Sequence, residues 1–167
     1  MTISQDNLAR AALEAIERAF AHRRPPSIMT DSKQLSDSEY EEVMSFEGLG
    51  WQDVSFDLVE RCSDAVFWFS PEAFCFYLPG LLAAGLRERR VDANAYDSLI
   101  GMLDRSPNPD YWDDFFLPRW TLLTAEEVNV VGAWIQWLQS IEPEAFHPNT
   151  YERALETLDL LKDRVTR

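Results

Sequence analysis

The segment whose reading decides the fold is Ala65–Arg90, "AVFWFSPEAFCFYLPGLLAAGLRERR". Its apolar run is long enough to span a bilayer, and its first five residues would fit a buried strand. The bilayer reading fails on two counts. Glu72 would sit in hydrocarbon at a cost of about 3 kcal/mol on insertion scales, and Ser70-Pro71 divides the run into pieces too short to cross. For "AVFWF", periodicity cannot separate strand from helix. No other segment offers it a strand partner, however, and a lone strand would leave its backbone groups unpaired. The reading is therefore helix. Ser70 suits an N-cap, Pro71 the first helical position and Glu72 the first turn. Pro79 removes an amide donor and crowds the carbonyl of Cys75, so a kink or a fresh helix is expected there. The arginines of "GLRERR" then close the element at its negative end.

The flanking sequence reads as helices of uneven length. Leu8, Ala12, Leu13, Ile16 and Phe20 form one apolar stripe on a helix expected from Gln5 to His22, with Ser4 as N-cap. Pro25 and Pro26 end it, and His22 would serve the helix dipole. In "SDSEYEEVMSFEG", Ser36 and Glu39 have capping-box spacing. Tyr40, Val43, Met44 and Phe46 are expected inward, with Gly48 as the stop. Ser55 and Ser63 are candidate caps for short helices over "SFDLVERC" and "SDAVFWF". Asp92 is a candidate cap for a helix through Leu103, with Tyr96, Leu99, Ile100 and Leu103 inward. Thr124 and Glu127 form a second capping box. The helix after it carries two adjacent stripes, Val128, Val131, Ile135, Leu138 and Val130, Trp134, Trp137, Ile141, and belongs near the centre of the molecule. A last helix over Tyr151–Val165 presents Leu155, Leu158, Leu161 and Val165 on one face. These elements specify an all-α fold: a single domain over residues 1–167, an irregular bundle of about seven to nine helices.

The segment "GWQDVSFDLVERCSDAVFWFSPEAFCFYLPGLLAAGL", followed later by "LLTAEEVNVVGAWIQWL", resembles an uncharacterised bacterial family, domain of unknown function 6714. The shared pattern is a Trp, a short helix, an apolar patch and then Pro-Glu-Ala-Phe-x-x-Tyr-Leu-Pro. Here those positions are Trp51, Pro71, Glu72, Ala73, Phe74, Tyr77, Leu78 and Pro79. The later piece matches the family's Leu-Leu-Thr helix start. The resemblance covers roughly the middle two thirds of the chain and implies a helical cytoplasmic protein. It transfers no activity.

Charge is the strongest global feature. With 29 acidic and 15 basic side chains the formal net charge is −14. Such a field repels nucleic-acid phosphates and anionic lipid and speeds encounter with basic partners. Neither a nucleic-acid nor a membrane partner is expected. Cys62 and Cys75 stand apart without a CxxC pair, as reduced core residues of a cytoplasmic protein do. The amino terminus has no basic start and is not read as a secretory signal.

Reactive chemistry has little to build on. In "DRSPNPDYWDDFFLPRW", Asp104–Trp120, the side chains of Asp104, Ser106, Asn108 and Asp110 occupy alternate positions of a calcium loop. Pro109 stands where that loop needs glycine and Phe115 where it needs a bidentate glutamate. His22 and His147, the two histidines, lack metal-ligand spacing with cysteine. There is no nucleophile elbow, P-loop or dinucleotide fingerprint. No cofactor, metal or catalytic residue is assigned. The same stretch does have the makings of a partner surface: Tyr111 and Trp112 are rings of the type found at binding hot spots. Asp110, Asp113 and Asp114 would supply an acidic rim, and Phe115, Phe116, Leu117 and Trp120 would tuck into the core. The expected function is a non-enzymatic acidic protein that binds a basic protein, such as an immunity protein against a toxin nuclease. The alternative is a small hydrolase or transferase with a carboxylate site in a helical cleft.

Overall fold

The computed structural model describes residues 1–165, and among them the chain is all-α, with nine α-helices and two short 3-10 turns. The helices are α1 (Ile3–Ala19), α2 (Asp37–Met44), α3 (Phe56–Arg61), α4 (Ala65–Trp68), α5 (Pro71–Glu88), α6 (Asn94–Leu103), α7 (Phe116–Trp120), α8 (Ala125–Ile141) and α9 (Thr150–Lys162). The 3-10 turns cover Trp51–Asp53 and Pro109–Tyr111. None of the described helices is long and apolar enough to cross a membrane.

The decisive segment becomes α4 and α5, separated by Phe69 and Ser70. Ser70 caps α5, its hydroxyl accepting the amide of Ala73 at 3.0 Å, and Pro71 opens the helix. Every residue from Ala73 to Leu86 is buried, which makes α5 the axis of the molecule. α1, α3, α7 and α8 pack around it together with the Trp51–Asp53 turn. No fresh helix starts at Pro79. α5 continues through it, because neighbours on all sides hold the helix where an isolated segment would break. Gly80 explains one of those contacts. A Cβ there would lie 2.5 Å from the carbonyl oxygen of Trp51 and 2.8 Å from Cγ2 of Val54, so only glycine admits this close approach.

α8 lies beside α5 and between α1 and α9. Its double stripe matches that position: Val128, Val130, Val131, Trp134, Ile135, Trp137 and Leu138 are buried, while Asn129, Gln136 and Gln139 face outward. Both predicted capping boxes form, Ser36 with Glu39 and Thr124 with Glu127. Glu127 is fully buried and does a second job. Arg23, in the segment after α1, donates from Nε and Nη2 to its two carboxylate oxygens, both at 2.7 Å.

Several helix ends differ from the sequence expectation. α1 is capped by Thr2 and Gln5, not Ser4, and stops at Ala19; His22 lies beyond its last turn. Phe20 turns into the core while Leu8 faces solvent, since the stripe that packs is Ala9, Ala12, Ile16 and Ala19. Small residues there let α1 lie close to α8. Ser55 caps α3 as expected, but α4 and α6 start without side-chain caps, so Ser63 and Asp92 do not act as caps. Asp92 is engaged by Arg90 instead. Tyr40, expected inward, is 50% exposed. α2 packs against α4 with Val43, and with Phe46 just beyond its end, buried.

Candidate functional site

The Asp104–Trp120 connector is more regular than a loop. Ser106 and Asn108 side chains accept the amides of Asn108 and Asp110 in successive turns, each at 3.1 Å, and lead into the Pro109–Tyr111 turn. Phe116 and Trp120 of α7 are fully buried, while Phe115 and Leu117 pack partly against the core. This arrangement separates the five predicted partner-contact residues. Asp110, Tyr111 and Asp114 face solvent, Tyr111 with 76% of its surface exposed.

Trp112 is a correction. It is 5% exposed, its ring edge-on to Phe116 and its indole N–H donated to the carbonyl of Ser106 at 2.9 Å. Its ring serves the fold. Asp113 is divided between roles: Oδ1 accepts the amide of Phe116 at 2.8 Å, and Oδ2 accepts from Arg105 at 2.6 Å. Burial pushes its carboxyl upward, but the Phe116 amide and the Arg105 guanidinium outweigh burial and hold it below the usual carboxylate range. The predicted acidic aromatic surface is thus smaller than the sequence indicates, one exposed ring flanked by two exposed carboxylates, of which Asp110 has Arg164 at 4.0 Å.

A second feature was not legible in the sequence. A groove of about 370 Å³ runs between the Pro25–Thr30 loop and α2. That volume lies within the range of ligand-sized clefts, about 300–1,000 Å³. One wall is the loop, tied down at the start of α5. Ser27 donates its amide and hydroxyl to the Glu72 carboxylate at 2.8 and 2.9 Å, and Ser70 donates its hydroxyl to the Ile28 carbonyl at 2.8 Å. The other wall comes from Tyr40 and Met44 on α2 and from the turn through Glu47, Gly48 and Leu49, where Gly48 takes φ +80°. Tyr77 forms the floor. Its hydroxyl is shared between the carbonyls of Phe46 at 2.7 Å and Leu49 at 3.0 Å. Burial, reinforced by the charge of Glu47, pushes the Tyr77 phenol up to about 12, so it remains a donor at neutral pH. Ile28 and Tyr40, 53% and 50% exposed, form the rim.

The groove residues come from three separate segments, which is why sequence reading passed over them. One signal was present: α2 and its flanks carry Asp37, Glu39, Glu41, Glu42 and Glu47 without a single cation. Elsewhere the ionisable groups offer little shelter. His147 and Glu152 border one depression, and Asp53 and Glu88 another, but all four are exposed. Exposed carboxylates lack the contrasting environments that divide acid and base roles between two groups. Among the described residues, no group of three or more His, Cys, Asp or Glu side chains is placed to hold a metal. Cys62 and Cys75 are both free and buried, and burial drives the Cys75 thiol up to about 12, away from nucleophilic use.

Compared with known proteins, residues 10–157 match the model of a family described as "Family of unknown function (DUF6714)". No curated protein and no solved structure matches the chain.

Proposed function

The chain belongs to the family of unknown function DUF6714, and from that premise we propose that it is a non-enzymatic acidic protein of the cytoplasm that captures a basic protein partner. The observation that carries this reading is the imbalance of free charge. Most described cations already face a carboxylate of the same chain: Arg10, Arg23, Arg61, Arg89, Arg90, Arg105, Arg153, Lys162 and Arg164 are ion-paired, most of them at the surface. Arg119, buried, instead donates to the carbonyls of Phe115 and Phe69. With 29 carboxylates against 15 cations, the surplus is left to act outward as negative field. Such a field steers a basic protein into contact and disfavours nucleic acid.

An immunity protein covering the phosphate-binding cleft of a toxin nuclease is the specific form of this role that the size and charge support. The test is binding of the purified protein to the basic protein encoded beside its gene, measured at low and moderate salt. A complex that weakens steeply as salt rises is the expected result. If no neighbouring gene product binds at low salt, the immunity reading is lost.

A further inference from the structure

The groove beside α2 has a one-sided chemistry. Among the described residues, Glu47 is its one charged lining side chain, and no lysine, arginine or histidine lines it. Met44 and Leu49 provide apolar surface, and Tyr40 places a half-exposed ring at the rim. The carboxylates of Asp37, Glu39 and Glu41 on α2 add to the negative potential of that wall. An apolar channel with an aromatic ring and a carboxylate suits a side chain that is apolar along its stem and cationic at its tip.

We propose that this groove is the docking site for an arginine or lysine side chain carried on an extended segment of the basic protein partner. The alkyl stem lies along Met44 and Leu49, and the cation meets Glu47 with the ring of Tyr40 beside it. The proposal rests on the reading that the partner is basic. It adds where that partner is gripped: at α2, rather than at the Asp110–Asp114 surface alone. The Ser27–Glu72 and Ser70–Ile28 hydrogen bonds hold the loop wall in place, which lowers the ordering cost of binding.

The test titrates the ¹⁵N-labelled full-length protein with blocked pentapeptides, acetyl-Ala-Leu-X-Leu-Ala-amide, where X is arginine, lysine, norleucine or glutamate. The arginine and lysine peptides are expected to shift the amide resonances of Tyr40, Glu47, Gly48 and Leu49. Glu47→Gln and Tyr40→Ala are each expected to weaken them about five- to tenfold, with Glu156→Gln, exposed on α9, as an unaffected control. Both positions are exposed, and an unchanged melting temperature confirms that the variants fold. Equal binding of the norleucine peptide, shifts confined to Asp110–Asp114, or self-association through the groove without peptide would overturn the proposal. Against the whole partner, Glu47→Gln and Tyr40→Ala are expected to weaken binding by a similar factor. A partner that binds both variants as tightly as wild type removes the groove assignment and leaves the basic-partner reading standing. Absence of any salt-sensitive partner removes the reading and, with it, the groove's occupant.

Discussion

At the scale of single residues, space and not propensity decides what a position tolerates. Gly80 and Gly101 are both helical glycines, and intrinsic preference treats them alike: alanine is favoured by about 1 kcal/mol in each. Their surroundings differ. Gly80 faces the Trp51 carbonyl and Val54, whereas a Cβ on Gly101 meets nothing within 4 Å. Gly101→Ala is therefore expected to raise stability by roughly 0.5–1 kcal/mol, and Gly80→Ala to lower it by about 1–3 kcal/mol through overpacking against backbone. Urea midpoints measured side by side would settle this; similar midpoints for the two variants would contradict the packing at Trp51. Trp112 teaches the same lesson in the other direction. A hot-spot residue type within an acidic run is still a core residue when a neighbouring carbonyl accepts its N–H.

At the scale of elements, two charged contacts add to hydrophobic packing in joining connecting segments to the core. Arg23 and Glu127 pin the segment after α1 to the first turn of α8, with the carboxylate fully buried. Removing one partner strands the other, so Arg23→Met is expected to cost about 3–5 kcal/mol. The double replacement Arg23→Met with Glu127→Met should cost much less than the sum of the singles. Additive effects in a denaturation cycle would show that the pair is not coupled.

Asp113 does comparable work for the connector by capping the amide of Phe116 and holding Arg105. Its folded-state pKa is depressed. Its contribution is therefore complete above the unfolded aspartate pKa, about 3.9, and is lost as pH falls through the lower folded value. Stability of the wild type should begin to fall as pH drops through about 4 and go on falling below it, and Asp113→Asn should flatten part of that drop. The remainder belongs to other carboxylates held low, Asp6 and Asp92, which face Arg89 and Arg90. Parallel stability curves for variant and wild type across this range would contradict the role given to Asp113.

At the scale of the whole molecule, net charge governs both folding and encounter. Fourteen excess negative charges repel one another in the compact state. Raising sodium chloride from about 20 to 200 mM shortens the screening length to below roughly 10 Å. It should raise the melting temperature of the free protein while slowing association with a basic partner. These two shifts are opposite in direction and share one cause. A melting temperature that falls with salt would mean that the ion pairs outweigh the surplus repulsion.

Most of the architecture was legible in the sequence because its signals are local. A cap such as Ser70, Ser36 or Thr124 acts within three residues of itself, and an apolar period such as that of α8 is a property of one helix. Those features specified an all-helical chain, the start of α5, both capping boxes and the buried double stripe. The same locality explains the misses at Leu8, Tyr40 and Trp112, whose exposure depends on which neighbour arrives. Net charge, too, is a sum that needs no coordinates. What only the tertiary structure decided was juxtaposition: Ser27 bound to Glu72, Arg23 to Glu127, and Tyr40, Met44 and Tyr77 drawn around one groove. Those contacts join segments tens of residues apart. Which of them form depends on how all the helices share one core, and no short window of sequence carries that information.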